Sequence, residues 1–289
     1  MEKKYRLTEE TINVEGKTLY HIEALRDFGD VKKGEKGGYV ENEDNLSHYD
    51  NCWVYENAMV CGNAQVYDNA KIYGNAVVCD KAIVCGDAIV GGDTKIYGNA
   101  EAYGNAKVYG IAEVYGNAQV YGNAVVCDYA RVCGDVEVFG DTWVFDNAEV
   151  GGKAKIRDKA MVYNNAKVYG NAKVYGNAKV YDNAKIYGYA IVFGEAMVYN
   201  NAKVYGNAIV RDEAIVCDDA EVYEYAWIYD NARIYGDAIV YGNARIFGGA
   251  EVRDNAEVRD NAVVCGGAKV CGDTTITSNS IIRNDEKDK

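Results

Sequence analysis

The sequence contains no proline and only two histidines, His21 and His48, both ahead of residue 54. Without proline, every backbone N–H is free to join a ladder, as central strands require. With so little histidine, the chain is poor in the side chain best suited to acid–base work near neutral pH. No run of eighteen apolar residues occurs, so nothing reads as a membrane-spanning helix. The opening MEKKYRLTEE carries charge where a signal peptide needs an apolar run. Nine cysteines are present, an odd number, and none forms a Cys-x-x-Cys pair. A disulfide framework and a structural metal site are therefore not expected, and a reducing cytoplasm is the expected location.

Basic charge is also in deficit: 31 Lys and Arg against 44 Asp and Glu leave a net charge of −13. A nucleic-acid binder would show a basic footprint instead. The acidity does not mimic DNA either. Spread over the expected rod it gives one charge per about 5 Å, against about 1.7 Å in a duplex. Solubility is the plainer reading.

What the chain does have is period. From Val54 to Ile282 an aliphatic residue returns every sixth position without a slip, and Ala102 is the one replacement for Val or Ile. A fixed repeat of this kind means a solenoid, because one unit cannot bury its apolar side without neighbours. In the unit Ala172-Lys173-Val174-Tyr175-Gly176-Asn177, the first four residues alternate small-in, polar-out, aliphatic-in and aromatic-out, the pattern of a short strand. Gly-Asn then turns a corner, since both residues tolerate positive φ. Coiling in one direction keeps every Val and Ala inside. Three hexads per coil give about thirteen triangular coils at roughly 4.8 Å each, a rod of roughly 60 Å. Eight cysteines (Cys61, Cys79, Cys85, Cys127, Cys133, Cys217, Cys265 and Cys271) take the slot otherwise filled by Tyr. Cys61 and Cys79 fall on successive coils, where a chance bridge could form.

The expected organisation is an N-terminal cap over 1–53, a β-helix over 54–282 and a charged tail over 283–289. In the cap, Thr11–Val14 and Thr18–Ala24 flank Glu15-Gly16-Lys17 as a hairpin, and Val31, Val40 and Leu46 approach the hexad spacing. A cap is needed because an open coil exposes unpaired backbone groups.

The pattern aliphatic-x-x-x-small-x resembles the hexapeptide repeat of left-handed parallel β-helices, the scaffold of many bacterial acyltransferases. That resemblance implies a left-handed coil, where the general crossover rule alone points to a right-handed one. The cap segments Lys4-Tyr5-Arg6-Leu7, Asp27-Phe28, Asp30-Val31, Gly37-Gly38-Tyr39-Val40, Asn45-Leu46-Ser47 and Cys52-Trp53-Val54-Tyr55 are similar to the opening of YdcK-like proteins. Those are labelled acyl- or acetyltransferases on the strength of their fold. The resemblance implies a histidine base in a groove between subunits of a trimer, with acetyl-CoA as cosubstrate. Only His48, beside Tyr49 and Asp50, offers such a base here. No loop interrupts the hexads to bind an acceptor, and His21 sits in an alternating strand. A packing role at the junction of cap and helix is the plainer reading of His48, and a non-catalytic rod without cofactor is the leading expectation over an acyltransferase.

The outward slots suggest where a rod would make contacts. Tyrosines, 26 in all, divide evenly over three faces and suit stacked ladders. The slot before the aliphatic residue is more selective. On the first face it holds Trp53, Ile89, Val125, Trp143, Met161, Met197 and Ile215. The second face carries Lys167, Lys185 and Lys203 there, and the third has Ile191, Ile209 and Trp227 among others. The first face is thus the expected contact surface, for self-association as a trimer or another oligomer, or for docking a protein or flat polymer.

Overall fold

The computed structural model describes residues 2–284. They fall into two units, Met1–Asp141 and Thr142–Lys289, each a parallel β-solenoid with no α-helix among the described residues. Of the tail expected at 283–289, residues 285–289 lie outside the described residues.

The N-terminal unit opens with the hairpin that the turn residues announce. Strand β1 (Tyr5–Val14) pairs antiparallel with β2 (Lys17–Ala24) around Glu15-Gly16, both at positive φ. Strand β3 (Lys36–Val40) then pairs antiparallel with β2 and parallel with Met59–Val60. Val40 already aligns with Val60, and Leu46 bridges to Val66. Parallel stacking therefore begins at Tyr39, inside the segment read as cap. Three sheets follow, one per face. The first runs through Trp53–Val54, Lys71–Ile72, Ile89–Val90, Lys107–Val108 and Val125–Val126. The second contains Met59–Val60 and the third Gln65–Val66.

The C-terminal unit repeats the scheme. Its first face stacks Trp143–Val144 on Met161–Val162, Lys179–Val180, Met197–Val198 and Ile215–Val216. The second stacks Lys167–Val168, Lys185–Ile186 and Lys203–Val204. The third stacks Lys173–Val174, Ile191–Val192, Ile209–Val210 and Trp227–Ile228. Each residue aligns with the one eighteen positions away, and its N–H donates to the carbonyl seventeen positions on, as where Lys173 N donates to Ala190 O at 2.9 Å and Asn177 N to Gly194 O at 2.7 Å.

The core consists of the two inward slots. Val, Ile and Ala from successive coils are wholly buried, Ile186 and Val180 among them, and each fully buried Val or Ile contributes about 1.5–3 kcal/mol. Corners are the costly part, since their backbone is left-handed. Gly176 has φ +70°, and a Cβ there would lie 2.9 Å from both the N and the O of Gly194. Where Asp takes the same slot, its carboxylate offsets the strain: Asp158, at φ 66°, accepts from Gly176 N at 3.1 Å. The next slot forms amide ladders. Asn183 Nδ2 donates to Asn201 Oδ1 at 3.2 Å, and Asn201 Nδ2 to Asp219 Oδ1 at 3.1 Å. An aspartate ends such a run because its side chain can only accept.

Candidate functional site

Within the N-terminal unit the expected contact column is largely covered. Trp53 is fully buried, a correction to its reading as a surface residue. The cap lies over it: the Phe28 and Tyr5 rings meet it edge-on at 5.2 and 6.1 Å, and a Cβ on Gly37 would come within 2.7 Å of its ring. Val125 is buried too, so it does not belong to an exposed strip either. Ile89 is exposed but pairs with Lys71 and Lys107.

The C-terminal unit does bring its share together. Trp143, 43% exposed, pairs with Met161; Met161 pairs with Lys179, Lys179 with Met197 and Met197 with Ile215. The two methionines and Ile215 are half-buried. Beside them Phe145, Tyr163, Tyr181 and Tyr199 stack at 4.8–4.9 Å. A groove of about 420 Å³ lies along the column, with Met197 and Ile215 between Asn177, Glu195, Glu213 and Arg233. An apolar column with a polar rim is the anatomy of a contact patch, although Lys179 interrupts it.

A second strip, on the third face of this unit, was not singled out by the column argument. Ile191, Ile209 and Trp227 pair in register. At the adjoining corner Tyr189 and Tyr225 occupy the slot normally held by Asn, at 63% and 58% exposure. The signal was present in the repeats: an aromatic residue there replaces a ladder-forming carboxamide and has no core to enter. Ile111 and Tyr129 make the same break in the N-terminal unit, and both are exposed.

The second face of the C-terminal unit is polar. Lys167 reaches Glu149 at 3.2 Å and Lys203 reaches Glu221 at 2.7 Å, while Tyr205 also donates to Glu221 at 3.0 Å. The Lys203 ammonium holds the Glu221 carboxyl below its ordinary range. A corner groove of about 620 Å³ is lined wholly by Asn and Asp, including Asp182, Asn183, Asn200 and Asp218. Among the described residues no group of three or more His, Cys, Asp or Glu is arranged to hold a metal.

His48 is locked into the cap. Its Nδ1 accepts from Lys4 N at 3.2 Å, its ring stacks on Tyr5 at 4.4 Å, and Nε2 lies 3.7 Å from Glu43 Oε2. Burial lowers its pKa. The lone pair a general base would use is thus occupied by backbone. Beside it Lys4 is buried, donating to Tyr49 O at 3.1 Å and Cys52 O at 2.8 Å, an internal clip for two carbonyls. Tyr5 OH serves Glu43 O and Leu46 O at 3.0 and 2.9 Å. His21 is half-buried with its ring edge-on to Tyr39 at 4.7 Å.

No helix among the described residues is long and apolar enough to cross a membrane. Residues 64–80 and 226–242 each match the family model of the YdcK beta solenoid repeat. A search of curated proteins returned no match.

Proposed function

We propose that this YdcK-like repeat protein is a non-catalytic β-solenoid scaffold, one that presents apolar and aromatic strips for self-association or for docking a partner. One observation carries the reading. On the C-terminal unit, large apolar side chains face outward in slots that elsewhere hold Lys, Glu or Asn, with Trp143, Trp227, Tyr189 and Tyr225 all more than 40% exposed. Such a surface has a use only when covered. Self-association, as a trimer or another closed oligomer, is the leading form. The acidic net charge supports a partner other than nucleic acid. Nine free thiols support the cytoplasm as its place of work. A left-handed sense of coiling belongs to the same proposal and rests on the aliphatic-x-x-x-small-x pattern.

The contrasting reading, an acetyl-CoA-dependent acyltransferase, would need a base, and the His48 environment argues against one there. Light scattering on the full chain, paired with acetyl-CoA titration, tests both. An oligomer that dissociates in a Trp143→Lys, Met161→Lys variant while acetyl-CoA produces no binding heat supports the scaffold. An oligomer indifferent to those substitutions and to Trp227→Lys sinks the self-association version. Saturable acetyl-CoA binding overturns the non-catalytic one.

A further inference from the structure

We propose that Cys61 and Cys79 form a redox-active pair, which a hydroperoxide closes into a disulfide between the coil beneath the cap and the coil after it. The register places them side by side. Met59 aligns with Val77 and Val60 with Val78, so the next residues, Cys61 and Cys79, are ladder neighbours on the second face. Cys61 N donates to Val78 O at 3.0 Å and Cys79 N to Ile96 O at 2.9 Å, which keeps both in the regular coil. Further along the same column Tyr97 and Tyr115 stack at 4.9 Å, the rise from coil to coil. A Cα separation of about 4.9 Å falls inside the roughly 4.4–6.8 Å that disulfides span. A Cβ spacing near the same value is slightly wide, so closure tightens the ladder locally and leaves the bond readily reducible.

The two thiols are also chemically unequal. They are neighbours in the column, and Lys17, itself 3.7 Å from Glu41, adds positive charge near Cys61. The neighbouring Cys79 thiol brings the Cys61 thiol below its ordinary pKa, while the Cys79 thiol is raised. Lys17 meets Glu41, which accepts from Gly62 N at 2.6 Å, so the cation sits at the Cys61 end and makes Cys61 the nucleophile of the pair. Its thiolate attacks the peroxide O–O bond, becoming a sulfenic acid as hydroxide leaves and takes up a proton to form water. The Cys79 sulfur then attacks the sulfenic sulfur and a second water departs. Two thiols and one hydrogen peroxide yield one disulfide and two waters, and an external dithiol reverses the change. Cys85 and Cys217 have no thiol on either neighbouring coil of their columns. Tyr67 and Tyr103 flank Cys85 in its column, and Tyr199 and Tyr235 flank Cys217.

The bond would clamp the seat of the cap. Gly62 N, next to Cys61, donates to Glu41 Oε2 at 2.6 Å, and β3 lies on Met59–Val60. Full-length protein is exposed to limiting hydrogen peroxide, alkylated, digested and mapped by mass spectrometry. A Cys61–Cys79 cross-linked peptide that dithiothreitol abolishes, with Cys85 and Cys217 still alkylated, is the expected result. The oxidised chain should also melt at a higher temperature, and Cys79→Ser should erase that shift while leaving a sulfenic acid trappable at Cys61. The proposal is overturned if Cys61 and Cys79 stay alkylatable when other cysteines have reacted. It is equally overturned if Cys61 passes to sulfinic acid with Cys79 untouched.

Discussion

Replacing Gly176 by Ala probes the corner on which the whole coil depends. The residue sits at φ +70°, and the new Cβ would meet the N and O of Gly194 at 2.9 Å, backbone atoms that can move only by spreading the coils. A left-handed Ala costs about 1–2 kcal/mol, and the contact adds about 1 kcal/mol more. Gly176→Asp meets the same geometry but brings a carboxylate to the Gly194 N–H, as Asp158 does for Gly176 at 3.1 Å. A hydrogen bond of that kind returns about 1.5–3 kcal/mol, so the net cost of Asp should be near 1 kcal/mol or less. Because each coil contacts only its neighbours, the loss registers as local opening. Amide exchange of the full chain should speed up around Gly176 and Gly194 in the Ala variant by about 30- to 150-fold, from a tenfold change per 1.4 kcal/mol. The Asp variant should change it by less than about tenfold. Equal effects of Ala and Asp would refute the idea that the corner carboxylate compensates strain, and an unchanged Ala variant would refute the strain itself.

Three further outcomes are expected. Ile186→Ala should destabilise the C-terminal unit by about 2–5 kcal/mol and Tyr187→Ala by about 1 kcal/mol or less, because the first is wholly buried and the second is one rung of an outward ladder; urea unfolding compares them. Burial and a bond to Cys127 push Tyr109 up to about 12, and a bond to Cys85 with burial does the same for Tyr67. Folding therefore favours the neutral phenols. That stability is complete below about pH 10 and fades as pH rises toward 12, so Tyr67→Phe with Tyr109→Phe should reduce the tyrosinate absorbance that grows in between about pH 10 and 12 and flatten the loss of circular dichroism there. Glu221 has the opposite sign: Lys203 lowers its pKa from 4.5, so its share of stability is present above about pH 4.5 and lost as acid titrates the folded carboxyl. Glu221→Gln should flatten the melting-temperature profile between about pH 5 and 3.

The coiled core was legible because the two inward side chains of each hexad report directly on burial, and no loop disturbs the count. The hairpin was legible from Glu15-Gly16. Trp53 was misplaced because alternation along a strand tells which side of a sheet a residue takes, not what later packs over that side. Only the fold of residues 5–40 brings Phe28 and Tyr5 onto it. The locked state of His48 depends on Lys4, 44 residues away in sequence, as well as on the nearby Glu43. Tyr189 and Tyr225 were legible in principle. A search for broken carboxamide slots, in place of a search for apolar columns, would have found them.

The eighteen-residue register has a genealogical consequence. In the run from Asn171 to Gly188, deletion or duplication of eighteen codons in frame would leave every surviving side chain above a partner of the same kind. Loss of six codons would also spare the buried ladder, yet it would turn each later column onto a neighbouring side, setting the lysines of one face in register with the apolar rungs of another. Nearly identical hexads invite both accidents during replication. Lineages of this chain should therefore differ in length by whole coils, with shorter steps purged wherever an outward column is in use.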